Sequence, residues 1–386
     1  MKKIALVLSG GGFKGAFQVG ALEYLRENWD RIAPQRPPLS FDIVAGVSVG
    51  SLNGLLVATG EFERLLQLWE DVAENGVGEI YTSDFIDTTA DPDNPNPRLK
   101  FTLTWDTLRR NFPQTTRNIL LRALFNRQSL LRAFREEFQR FRAVANNDPL
   151  YRKLQTLARR DRIGDTVYKC GVVSLRTGRY HALRHDEFPD DVAFARGVLA
   201  STAMPIVWPP VEGLATDRGT LESVVDGGIR DVSPLGDVIE EIARAESPED
   251  YTIIIINCSS GRVDEEPFAD KNIVQIALRS LVDVAITEIF NNDIREFIDK
   301  NYILQQIRAK LPGETIYDYD ADTNGRGNPL RFFNAIVIQP EANVLGDTLT
   351  ASRPQIAYRM AHGRARAEIA LRRHLNAAGG DKFTVV

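Results

Sequence analysis

The 386-residue chain predicts an α/β fold built on a mostly parallel central sheet. Three observations carry that expectation. Strand–turn–helix occurs twice in the first 75 residues, the strand runs are apolar throughout rather than alternating, and the composition is that of a globular protein with 43% hydrophobic and 26% charged residues. Strands apolar on both faces belong in a sheet covered by helices on each side.

Taken in order, Ile4–Leu8 is the first buried strand. After Ser9-Gly10-Gly11-Gly12-Phe13-Lys14-Gly15 come Ala16, Val19, Gly20, Leu22 and Leu25 at helical spacing. Phe41–Ala45 is a second strand, and Gly46-Val47-Ser48-Val49-Gly50 turns into a helix through Leu52, Leu55, Leu56 and Val57. Phe62, Leu65, Leu66 and Trp69 continue the helical spacing. The order then breaks: Thr88–Pro97 is loop chemistry, and a helical insertion is expected over residues 80–164, with core segments at 1–79 and 165–386. Strand signals resume at Val167–Leu175 and Tyr180–Arg184, joined like a hairpin by Arg176-Thr177-Gly178. Helices are expected at Val192–Ser201, Leu235–Ala243, Ile273–Ile307 and Gln355–Leu375, and strands at Val224-Val225, Tyr251–Asn257 and Ala335–Ile338. There is no internal repeat and no heptad register.

Charge is unevenly distributed. Residues 98–162 hold 16 Lys+Arg against 5 Asp+Glu, a balance of +11 that leaves −16 for the rest of a chain whose total is −5. Within this segment Leu120, Leu124, Leu131, Phe134, Phe138 and Phe141 fall on one side of a helix. Arg122, Arg127, Arg132, Arg135, Arg140 and Arg142 lie mostly on the other. Such a helix either packs its apolar side on the α/β body or lies at an anionic membrane surface. The net charge gives no global attraction to nucleic acid, and none is expected as a partner. Cys170 and Cys258 lie in apolar runs without metal-ligand spacing, as buried free thiols of a reducing compartment do. The apolar stretch at the start is too short for a signal peptide, and no other run approaches the ~20 residues needed to span a bilayer. A cytoplasmic protein is expected, with membrane contact confined to the periphery.

Gly46–Gly50, between a buried strand and a helix, has the context of a nucleophile elbow, in which Ser48 is held out at the carboxyl end of the sheet. Its plainer alternative is a glycine-rich turn whose serine caps the helix. The glycines at 10–12 and 15 suit either a phosphate or the oxyanion of an acyl-transfer intermediate. They match the spacing of a dinucleotide fingerprint, but the second strand ends in the Ser48 turn where that fingerprint needs an acidic residue. No Lys-Ser/Thr pair follows the last glycine, so a Walker loop is excluded. The oxyanion reading is the stronger. His181, His185, His362 and His374 lie on or beside the hairpin or on the terminal helix, as packing or surface residues do. Asp226, at a strand end before two glycines, is either a base or an Asp-Gly turn. An elbow after the second strand also departs from the α/β-hydrolase order.

Together these residues resemble the patatin-like phospholipase family. Gly10–Gly15 match its Gly-Gly-Gly-x-Lys/Arg-Gly motif, Gly46–Gly50 its Gly-x-Ser-x-Gly elbow, and Asp226–Gly228 its Asp-Gly-Gly/Ala. Ala200-Ser201-Thr202-Ala203-Met204-Pro205, followed by Trp208-Pro209-Pro210-Val211, is similar to the family's Ala-Ser-x-Ala-x-Pro block. All four occur in the family's order, over residues 1–75 and 165–375. Val232-Ser233-Pro234 departs from the Asn-Pro that many members carry there. The resemblance implies a three-layer fold with an inserted helical region, and a phospholipase A-type hydrolase acting on a lipid or phospholipid. It implies a Ser48–Asp226 dyad, an oxyanion hole at Gly10, Gly11 and Gly12, and supporting roles for Lys14, Gly15, Gly46, Gly50, Gly227 and Gly228. That chemistry needs neither metal nor cofactor. Two other functions stay open: a glycine-loop phosphate or nucleotide binder in which Ser48 is incidental, and a non-catalytic lipid or protein interaction module.

Overall fold

The computed structural model describes residues 2–87, 93–95, 97, 99–102, 104–113, 115–116, 135–137, 139, 141–245, 247, 250–263, 265, 268–269, 271, 273–320, 325–342, 344–377 and 380–386. Twelve strands are present among them: β1 (Lys3–Leu8), β2 (Ile43–Val47), β3 (Val167–Ser174), β4 (Arg179–Arg184), β5 (Leu214–Thr216), β6 (Gly219–Leu221), β7 (Val224–Asp226), β8 (Tyr251–Ile256), β9 (Tyr317–Asp320), β10 (Gly325–Pro329), β11 (Asn334–Ile338) and β12 (Phe383–Val385). The main sheet runs β12-β11-β8-β1-β2-β3-β4 and is parallel from β12 to β3. The expected hairpin is the antiparallel pair β3–β4.

Alternate side chains of the apolar strands enter two cores. Ile4, Leu6, Leu8, Val44, Ile254, Ile256, Ile336 and Ile338 face the helices Ala16–Glu27, Val49–Ala58 and Arg353–Asn376. Ala5, Val7, Ile43, Ala45, Ile253, Ile255, Ala335 and Val337 face Leu235, Val238 and Ile242 of the helix Leu235–Ala243, together with Phe290 and Ile294. Both faces are therefore covered, which makes three layers. Each fully buried large aliphatic contributes about 1.5–3 kcal/mol, so the sheet's centre is its most stable part. The helices Ala16–Glu27 and Arg353–Asn376 cross at two glycines: a Cβ on Gly20 would overlap the Met360 carbonyl, and one on Gly363 the Phe17 carbonyl.

The 273–310 helix forms as expected but contains two π-type stretches, Arg279–Ala285 and Asn291–Arg295. β2 begins two residues later than its apolar run, because Asp42 is engaged: its carboxylate accepts the Ile4 N–H at 2.7 Å and its carbonyl the Val167 N–H. The hairpins β5–β6 and β9–β10 and the terminal strand β12 are additions to the expected elements. Within the 80–164 stretch expected as an insertion, Leu150 and Leu154 of the helix Asp148–Leu157 join the main core. Phe141 meets Phe85 and Phe112 at ring-centroid distances of 5.1 and 5.8 Å, so it packs on its neighbours. Leu120, Leu124, Leu131, Phe134, Phe138, Arg122, Arg127, Arg132 and Arg140 lie outside the described residues, as does most of Thr88–Pro97.

Candidate active site

Parallel pairing of β1 with both neighbours brings three strand ends to one edge. Leu8 is level with Gly46 of β2 and with Ile256 of β8, so the chain after each strand enters the same crevice. That register puts the glycine loop beside Ser48 and brings Cys258 against it. The position of Asp226 has a different origin. β4 covers the outer edge of β3 from Lys169 to Ser174, and β2 covers the inner edge only as far as Gly171, opposite Val47. β7 takes the vacant remainder of that inner edge, running the opposite way, with Asp226 opposite Val172. The ends of β2 and β7 therefore meet head to head along one strand. No sidedness rule applied to sequence order would place them so. Close approach is required there, and a Cβ on Gly227 would stand 2.6 Å from the Gly171 carbonyl.

Ser48 has φ 55° and ψ −129°, a strained backbone for a residue with a side chain, and it leads directly into the helix Val49–Ala58. Its surroundings bind it tightly: the Ser48 N–H donates to Ser201 Oγ at 3.2 Å and its carbonyl accepts from Ser51 Oγ at 2.6 Å. Ser48 is 6% exposed and Asp226 3%. The Gly228 N–H donates to Asp226 Oδ1 at 2.8 Å, and the neighbouring Ser48 side chain also favours the ionised Asp226 carboxylate. Burial pushes the Asp226 carboxyl up to about 7, against these two neighbours, which favour the ionised form. An aspartate so shifted can exchange a proton near neutrality.

The glycine loop is held from both sides. The Gly10 N–H donates to the Val232 carbonyl at 2.8 Å, and the Phe13 N–H to the Thr348 carbonyl at 2.9 Å. Gly12 has φ 54°, and a Cβ there would overlap the Thr348 carbonyl oxygen. Of the three glycines grouped from the sequence as oxyanion donors, Gly10 already has its N–H engaged by Val232. Among the described residues, the N–H groups of Gly11 and Gly12 have no protein acceptor.

Gly10, Gly11, Lys14, Ser48, Asp226 and Gly228 line a single cavity of about 770 Å³. Leu278, Val282, Ile286 and Phe290 form an apolar wall of it, while Lys14, Arg262 and Lys271 supply cations. On its other side Ser48, with Gly12, borders a recess of about 50 Å³ walled by Phe13, Leu52, Leu68, Trp69, Leu150 and Trp208. Gly15, Gly46, Gly50 and Gly227 line neither space. Gly46, Gly50 and Gly227 lie where backbones touch: a Cβ on Gly46 would overlap the Gly50 carbonyl, and one on Gly50 the Leu8 carbonyl, whereas Gly15 lies against the Val49 and Trp69 side chains. None of the four histidines lines the cavity, and both cysteines are buried and free. Among the described residues, no group of three or more His, Cys, Asp or Glu could hold a metal ion, and no helix is long and apolar enough to cross a membrane.

The Ala200–Pro205 block was picked out in the sequence only as a motif, and Gln18 and Asn53 not at all; the structure gives each a positioning contact. Ser201 Oγ donates to the Gly171 carbonyl at 2.7 Å while accepting from Ser48, and the Ala203 carbonyl accepts the Asp226 N–H at 3.0 Å. One short segment thus fixes the backbone of both candidate residues. Gln18, fully buried, donates to the Ser9 carbonyl at 2.8 Å and accepts from Asn53 at 2.9 Å; Asn53 in turn accepts from Trp69 Nε1 at 3.0 Å. A polar side chain enclosed among apolar residues at helical spacing was the available signal, and it applies to Gln18 and Asn53.

Comparison with known proteins gives a match to the family model described as patatin-like phospholipase over residues 6–239. Among solved structures, VipD from Legionella pneumophila is similar at 16% identity and a TM-score of 0.43, covering 96% of this chain and 67% of that one. The type III effector protein ExoU is similar at 16% identity and a TM-score of 0.22, covering 76% of this chain and 53% of that one, so this chain spans about half of its length. No curated protein matched significantly.

Proposed function

The chain belongs to the patatin-like phospholipase family, a family of lipid hydrolases, and we propose that it cleaves lipid acyl esters with Ser48 as nucleophile and Asp226 as the proton carrier. The observation that carries this reading is the enclosure of Ser48 and Asp226 in one cavity, with a carboxyl pushed up to about 7, beside two glycine amides that have no protein acceptor among the described residues. Ser48 Oγ bonds to the ester carbon as its proton passes to Asp226, and the carbonyl oxygen takes the negative charge. The N–H groups of Gly11 and Gly12, rather than that of Gly10, donate to this oxyanion. A donor in such a position is typically worth ~10²–10³ in rate. The C–O bond to the alcohol then breaks, and Asp226 returns its proton to the leaving oxygen. Water attacks the acyl-serine, Asp226 accepts its proton, and transfer of that proton to Ser48 Oγ releases the fatty acid.

The two spaces flanking Ser48 support a division of the substrate. The apolar recess by Trp69 and Leu150 suits the start of an acyl chain, and the larger cavity suits the remainder of the lipid, with Lys14 and Arg262 available to an anionic head group. Contact of residues 98–162 with an anionic membrane, at the periphery of a cytoplasmic protein, belongs to the same proposal. It predicts stronger binding to anionic than to zwitterionic vesicles.

The test is covalent labelling with a fluorophosphonate probe, combined with mass-spectrometric product analysis on a mixed lipid extract. Wild type should be labelled at Ser48 and release fatty acid. Ser48→Ala should do neither, and Asp226→Asn should lose at least ~10³ in turnover. Full turnover by Ser48→Ala would overturn the assignment. Nucleotide-dependent thermal stabilisation without labelling would favour the phosphate-binding alternative, and labelling without turnover of any ester an interaction module.

A further inference from the structure

Arg359, in the helix Arg353–Asn376, is fully enclosed at 0% exposure, yet it has no carboxylate within ion-pair distance among the described residues. All its hydrogen bonds go to main-chain carbonyls of one loop: Nε to Leu345 at 2.8 Å, Nη1 to Thr350 at 3.2 Å and Nη2 to Asp347 at 2.7 Å. A planar guanidinium can donate in several fixed directions at once, which makes it a brace for a loop lacking regular hydrogen bonds. Tyr81 adds a bond from its hydroxyl to the Leu349 carbonyl at 3.0 Å. The braced loop is the one whose Thr348 carbonyl accepts the Phe13 N–H and presses on Gly12. Arg359 and residues 345–350 both lie beyond the stretch matched by the family model, which ends at residue 239.

We propose that Arg359 is a positioning residue for ester hydrolysis: by bracing residues 345–350 it seats the Thr348 carbonyl on Gly12–Phe13 and keeps the Gly11 and Gly12 amides turned toward the reacting carbon. The inference rests on the oxyanion role proposed above. The far end of the chain thereby supports a site whose proposed nucleophile, proton carrier and oxyanion amides, Ser48, Asp226, Gly11 and Gly12, come from its first 230 residues.

The test compares full-length wild type, Arg359→Lys and Arg359→Met on a short soluble ester, with fluorophosphonate labelling rates and thermal melts measured alongside. In Arg359→Met, kcat and the labelling rate should fall together by ~10²-fold, as for a lost oxyanion donor, with KM within about twofold and the protein still folded at the assay temperature. Arg359→Lys, which can still donate to some of the carbonyls, should recover about tenfold of that loss. A folded Arg359→Met with wild-type kcat, or a loss matching only its unfolded fraction, overturns the proposal. If Arg359→Met does not fold, Gly346→Ala displaces the same loop with Arg359 in place, since Gly346 has φ 69° and its Cβ would stand 2.8 Å from Gln355 Nε2. The same kcat-selective loss is expected there, and unchanged kcat again overturns the role. Wild type that is never labelled at Ser48 refutes the catalytic reading itself. Labelled wild type with equally reactive variants refutes only the role of Arg359.

Discussion

Ser201 Oγ accepts the Ser48 N–H at 3.2 Å and donates its own proton to the Gly171 carbonyl at 2.7 Å. One hydroxyl thus ties the elbow to the strand that also carries Asp226 on its edge. Ser201→Ala leaves both partners buried and unmatched, at a cost of about 1–3 kcal/mol. We predict a ~10–100-fold loss of kcat with little change in KM, because the strained Ser48 backbone is free to relax. Steady-state kinetics on a soluble ester, at a temperature where circular dichroism shows the variant folded, checks this; wild-type kcat would show that the elbow holds its shape without Ser201.

Burial raises the Asp226 carboxyl to about 7, and only its ionised form can accept a proton from Ser48. Activity should therefore rise with pH through about 7. The stability effect has the opposite sense. A carboxyl whose folded pKa exceeds its unfolded value of ~3.9 binds its proton more tightly when folded, so its contribution is lost as pH climbs from about 4 to 7. Asp226→Asn should consequently be more stable than wild type at pH 8, on the order of 2 kcal/mol, and much less so at pH 4. Thermal melts across that range give the comparison. Asp231, raised to about 7, and Asp237, raised to about 6, titrate nearby for reasons of burial, so the difference between wild type and Asp226→Asn is the quantity to follow.

Leu150 closes one side of the apolar recess next to Ser48 and is itself a core residue. Leu150→Ala should cost about 2–5 kcal/mol of stability, as core truncations do. It should also open room for roughly three carbons of acyl chain. The expected outcome is about a tenfold rise in the ratio of kcat/KM for an octanoyl over a butyryl nitrophenyl ester. An unchanged ratio would move the acyl chain to the larger cavity.

Sequence alone determined the α/β class, the parallel centre of the sheet and the two turns that matter most. These are properties of local order: Ile4–Leu8 and Tyr251–Ile256 are apolar on both faces because both faces are covered, and Gly46–Gly50 is short and small because a backbone passes over it. The scarcity of usable histidines was equally legible, and it directed attention to Asp226. Most of the helix expected to carry Leu and Phe on one side lies outside the described residues, and its Phe141 packs on its neighbours.

Only the tertiary structure decided how the parts meet. That Asp226 comes to the end of β2 that carries Ser48 follows from β7 filling the edge of β3 that β2 leaves open, a pairing between residues at least 50 positions apart. That Gly10 is excluded as a free donor, while Gly11 and Gly12 are not, follows from where Val232 and Thr348 bring their carbonyls. Arg359 lies within the helix expected at Gln355–Leu375, where nothing in the sequence sets it apart, and its burial against three carbonyls belongs to the loop it contacts. The physical reason is the same in each case. Local pattern encodes which surfaces a segment must bury, but hydrogen bonds between distant segments exist only once those surfaces have been buried together.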